Sequence, residues 1–173
     1  MATTEPSAFS IYDRHPLVRF SVYTHIQVQV IRDLSAEIFA LLDTAFASDQ
    51  IDGESFHKVY GRFWLWVLGA YEVTRTMSQY KTCFSERHNA EVAAFKSMVA
   101  VIRMPFAKQE LKGISQPIEN EASVSGFDQV TKDFTFLVGK KELSIRSLLS
   151  EFERLVQLVK PEDVLCDLRD AQR

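Results

Sequence analysis

The sequence predicts a mainly α fold, an antiparallel bundle of four main helices with a small β-hairpin between the third and fourth. Three observations carry this. Apolar residues recur at three- and four-residue steps over long stretches, the spacing that places side chains on one helical face. Thirteen phenylalanines stand against only six glycines and five prolines, a ratio that suits a packed interior with few turns. The third observation is the stretch 56–80, FHKVYGRFWLWVLGAYEVTRTMSQY, which holds both tryptophans and the longest apolar run, 63–71. Phe56, Tyr60, Phe63, Val67, Ala70, Thr74 and Met77 make one face of it, and Val59, Trp66, Val73 and Tyr80 a second seam. A helix apolar around most of its circumference belongs inside a bundle or a membrane. Arg62 and Glu72 interrupt the run well short of the roughly 20 apolar residues a span needs. The stretch therefore reads as the central helix of a bundle, and no membrane partner is expected.

At 173 residues the chain has the length of one domain with its own core. Residues 1–14 are small, polar and unpatterned and read as a flexible N-terminal arm, which Phe9, Ile11 and Tyr12 could dock onto the body; residues 15–173 read as a single helical domain. Pro16 suits the first turn of a helix. From 17 to 46, Phe20, Thr24, Val28, Ile31, Leu34, Ile38, Leu42 and Ala45 fall on one face. Residues 26–30, IQVQV, also alternate strictly and are rich in β-branched side chains, which is a strand signal; helix and strand both stay open for 22–30. Residues 48–53, SDQIDG, have the composition of a turn, short enough to make the helices on either side antiparallel neighbours.

Ser85 is placed to cap a third helix, which carries Val92, Phe95, Val99 and Ile102 on one face. Pro105 lies inside its pattern and predicts a kink or a break into two helices. Residues 113–126 are polar and read as a loop. The run 134–138, FTFLV, followed by Gly139 and Leu143, reads as the hairpin. Ser144 then caps a fourth helix with an apolar stripe from Ile145 through Leu148, Leu149, Phe152 and Leu155, stopped by Pro161.

No motif names an activity. The net charge of −3 and pI near 5.8 give no overall basic footprint, so nothing marks nucleic acid as a partner. A di-metal bundle needs two Glu-x-x-His pairs, whereas Glu54 and His57 form the only one, and no metal is expected. Phosphate-cradling glycine loops and nucleophile elbows are absent from the sequence, and no cofactor is expected. Among arginines followed four to six residues on by a histidine, the pair that HEPN-type ribonucleases carry, there is only Arg19 with His25. It lies in the first helix and Phe20 follows the arginine, so no resemblance is claimed. Cys83 and Cys166 have no metal-ligand spacing and no close partner, which reads as reduced thiols in a cytoplasmic protein.

Charged groups set in apolar surroundings are the remaining candidates. Glu72 and Arg75 are neighbours on one helical face. With Arg62, Arg103 and Lys108 they would form a pocket for a small anionic ligand, since guanidinium forks match carboxylate and phosphate; the plainer reading is an ion pair that fixes helix register. Trp64 and Trp66, on two different faces, are expected at an interface between copies. The sequence thus points to a non-enzymatic, cytoplasmic interaction protein that self-associates as a homodimer or other homo-oligomer. The competing reading is a helical enzyme, RNA-acting or anion-binding, built on the arginine and glutamate cluster.

Overall fold

The computed structural model describes residues 11–108, 110–111, 114–117, 124–138 and 140–169. The expected arm at 1–14 falls largely outside them. Its last four residues form a single helical turn, α1 (Ile11–Arg14), followed by α2 (Pro16–Phe20), α3 (Val22–Ala45), α4 (Gly53–Gln79), α5 (Glu86–Lys108) and α6 (Ile145–Gln157). The described chain is mostly helical, with a three-stranded antiparallel sheet.

Local chemistry explains the boundaries. The helix expected from residue 17 is interrupted at Ser21, whose backbone is extended (φ −165°, ψ 125°) and whose Oγ accepts a hydrogen bond from the Thr24 amide at 3.3 Å. This N-cap starts α3 afresh. Residues 22–30 are helix, and the strand alternative is discarded. Asp52 caps α4 by accepting from the Ser55 amide at 3.0 Å. Ser85 caps α5 through the His88 amide at 3.2 Å, and Ser144 caps α6 through the Ser147 amide at 3.0 Å. Pro105 does not divide α5, which continues to Lys108. So close to the helix end, its missing N–H removes one bond from the ladder and little follows that could unravel.

Each neighbouring pair of long helices runs in opposite directions. Between α3 and α4, Ile31 meets Gly69, Ser35 meets Trp66, and Glu37 pairs with Arg62. Between α5 and α6, Arg87 reaches the Leu158 carbonyl at 3.0 Å, Glu91 pairs with Arg154 at 2.8 Å, and Phe95 packs on Phe152. Arg32 with Glu153 and Arg146 with Asp43 tie α6 to α3. Trp66 sits at the centre, fully buried against Phe63, Phe95 and Phe152, with its indole N–H donating to Ser35 Oγ at 2.8 Å. A buried tryptophan needs that partner for its one polar atom.

The hairpin is one part of a larger element. β3 (Val124–Asp128), β4 (Asp133–Val138) and β5 (Lys141–Ser144) form a meander with β4 in the middle. Phe134 and Phe136 of β4 pack on Phe56, Tyr60, Phe63 and Phe106, closing one end of the bundle. The stretch expected to be a loop therefore contributes β3, and a short antiparallel pair, β1 (Glu110–Leu111) with β2 (Ile114–Pro117), precedes it.

The expectation of reduced thiols is corrected. Cys83 and Cys166 are joined in a disulfide across 83 residues of sequence. The link fastens the segment after α6 beneath the α4–α5 turn. There Phe84 and Val164 form a bridge, Leu165 donates to the Cys83 carbonyl and Ser85 to the Asp163 carbonyl, both at 2.9 Å. Spacing alone could not show this, because the partners meet only once the bundle has formed.

Candidate functional site

The inner face of α3 is Thr24, Val28, Ile31, Ser35, Ile38, Leu42 and Ala45, all buried. Its N-terminal half carries a second apolar face that the other described residues leave half or more exposed. Val22 is 55% exposed, Tyr23 81%, Ile26 50% and Val30 57%. Two residues along a helix is a rotation of about 200°, so Ile26 and Val30 stand nearly opposite Val28. The alternation that looked like a strand is a helix that is apolar on two sides.

The outward row continues with a regular spacing. Tyr23, Ile26, Val30, Asp33 and Glu37 follow three- and four-residue steps in turn, and so do Arg62, Leu65, Gly69, Glu72 and Thr76 on α4. This is the heptad spacing that keeps a seam facing a partner helix. Where the two rows run side by side, a Cβ on Gly69 would lie 2.2 Å from Ile31 Cδ1. The glycine lets α3 and α4 approach, and over it lies a shallow groove of about 340 Å³ walled by Ile26, Val30, Val73 and Thr76. Leu65, 52% exposed, is one turn from Gly69 on the same row. Charges border this apolar centre: Glu37 with Arg62 at one end, Glu72 with Arg75 at 2.6 Å on the rim.

The residues singled out from sequence are thus partly brought together. Glu72 meets Arg75 and, at 3.9 Å, Arg103, whose guanidinium lies 4.8 Å from the centre of the Tyr71 ring. Arg62 is ten residues before Glu72, about 15 Å along the axis, and is held by Glu37. The side chain of Lys108 lies outside the described residues. Trp66 is corrected from interface to core, since its own chain covers it completely. Trp64 is 39% exposed and turned toward α5, where its indole N–H donates to the Phe106 carbonyl at 3.0 Å, a helix-end carbonyl with no partner further along α5. Arg19 and His25 line different clefts. Val22, Tyr23, Ile26, Val30 and Leu65 were missed, although the three-four stepping on both helices was present in the sequence.

Among the described residues no group of three or more histidines, cysteines or acids could hold a metal ion, and no helix is long and apolar enough to cross a membrane. Comparison of the chain with protein-family models, with curated proteins and with solved structures finds no match.

Proposed function

We propose that the protein works by self-association, the outward rows of α3 and α4 packing against the same rows of a second copy. The observation that carries this is the exposed apolar centre formed by Ile26, Val30, Leu65 and Gly69 within heptad-spaced rows. An apolar middle with charges at its edges has the anatomy of a protein interface, and a patch meeting its own copy about a two-fold axis must be self-complementary. Two rows on adjacent helices offer two rows of knobs to two rows of holes. The small net charge of −3 opposes such pairing little.

The arginine cluster favours this reading over an enzyme site. Arg62 is paired with Glu37, while Arg75 and Arg103 share Glu72, so each arginine already faces a carboxylate. The Cys83–Cys166 link favours an oxidising compartment over the cytoplasm, where thiols are kept reduced.

Light scattering across a range of protein concentrations tests the proposal. The native chain should give a dimer mass, and a double variant, Ile26→Glu with Val30→Glu, a monomer mass with its helical circular dichroism retained. A native chain that is monomeric at every concentration overturns the reading, as does a double variant that still dimerises. Dimers that persist in that variant but dissociate on Trp64→Ala would put the contact on the α5 side instead.

A further inference from the structure

A second cleft, of about 270 Å³, lies where the N-terminal turns, α3 and the end of α6 meet. Because Ser21 breaks the helix, the chain folds back there and sets His15 against His25, their ring centres 4.9 Å apart and tilted by 53°. Arg32 is seven residues on from His25, two turns along the same side of α3. Its guanidinium is fixed by Glu153 of α6, Nε to Oε2 at 2.8 Å and Nη2 to Oε1 at 2.6 Å. Lys160 closes the far side, and among the described residues it has no ion-pair partner. Among the described residues neither imidazole makes a hydrogen bond. The rest of the lining mixes the part-exposed Pro16, Val156 and Pro161 with Asp13, Gln29 and Gln157, and the buried Leu17, Val28 and Val159 border it from the core.

His15, His25, Arg32 and Lys160 thus share one cleft with the apolar side chains of Pro16, Val156 and Pro161. Two imidazoles this close repel each other once both are protonated, and a fixed arginine nearby adds to that cost; loss of a proton relieves it, and so does a bound anion. We propose that this cleft binds a phosphate monoester of small apolar body, the phosphate held by His15, His25 and Lys160 and the body laid against Val156, Pro16 and Pro161. Arg32 acts as a positioned charge rather than a mobile one, because Glu153 holds it.

The remaining charges around His25 fit this picture. Asp13 and Arg14 flank His15 on the N-terminal side, Arg32 lies on its own helix, and Glu153 and Lys160 approach from α6 and the segment after it. Burial holds the His25 pKa below the ordinary imidazole value, and His15 and Arg32 push it in the same direction. An empty cleft therefore favours the neutral form of His25, and a bound dianion favours its protonated form. Affinity should rise as pH falls, by up to about tenfold per pH unit while His25 takes up a proton.

The test is a titration of the full chain followed by the imidazole NMR signals of its four histidines. Sulfate serves for the pH dependence, because its charge is constant over the range, and phenyl phosphate serves for ligand class. Sulfate should shift His15 and His25 saturably, leave His57 in place, and bind at least about tenfold more tightly near pH 5.5 than near pH 7.5. Phenyl phosphate should bind more tightly than sulfate at the same pH, and His15→Gln with His25→Gln should weaken both probes at least about tenfold. Shifts that match those of His57, a pH-independent affinity, or equal binding by the double variant would overturn the assignment. Both rings reach solvent at least in part, so the variants report on binding rather than on folding.

Discussion

The contrast between α4 and the first half of α3 teaches most about this molecule. Both are dense in large apolar side chains, and both sit at the centre of the chain's hydrophobic pattern. The apolar faces of α4 are covered on several sides, by α3, by α5 and by the phenylalanines of the sheet, and Trp66 and Phe63 are lost to solvent completely. In α3 one face is spent on the core, and Tyr23, Ile26 and Val30 are left over. Apolar density in a sequence therefore counts surface to be covered without saying by whom. For most of α4 the answer is its own chain; for the outward side of α3, with Leu65 beside it on α4, we propose a second copy.

The sharpest way to break this contrast is to truncate one residue on each side. Trp66→Ala should cost about 3–5 kcal/mol of stability, by loss of burial and the cavity left among Phe63, Phe95 and Phe152. Ile26→Ala should change the monomer's stability by less than about 0.5 kcal/mol. Chemical denaturation at low protein concentration measures both; comparable losses would mean that Ile26 is covered within its own chain. Next in size is the disulfide beyond the end of α4. Cys83→Ser with Cys166→Ser opens a loop of 83 residues and should cost about 2–4 kcal/mol. The solution mass should not change, because neither cysteine belongs to the outward rows. A smaller effect than the disulfide's comes from two glycines of α4. At Gly61 nothing lies within 4 Å of an added Cβ, so Gly61→Ala should stabilise by about 0.5–1 kcal/mol. Gly69→Ala must displace Ile31 and should gain less or lose. Equal gains at both sites would show that the close approach of α3 at Gly69 is unimportant.

What could be read in the sequence divides along physical lines. Caps are local, so Ser85 and Ser144 were legible; period is local, so α4 and α6 were legible. β3 carries a weak alternation in VSGFD and takes its partners from the next strand, which is why it read as loop. The joining of Cys83 to Cys166 and of His15 to His25 depends on where distant elements come to rest, and no spacing encodes it. Trp66 failed for another reason. An aromatic surplus reads as surface for a partner, but α5 and α6 bring Phe95 and Phe152 to cover it. Glu72, Arg75 and Arg103 do gather, while Arg62 stands at the other end of the same row.

Backbone amide spectra recorded during serial dilution test the central claim most directly, because they report where a contact forms as well as whether it does. Signals from residues 22–37 and 62–76 should move together with concentration along one binding curve, while the buried residues around Trp66 stay in place. Spectra independent of concentration, or movement confined to Trp64 and the end of α5, would contradict the account.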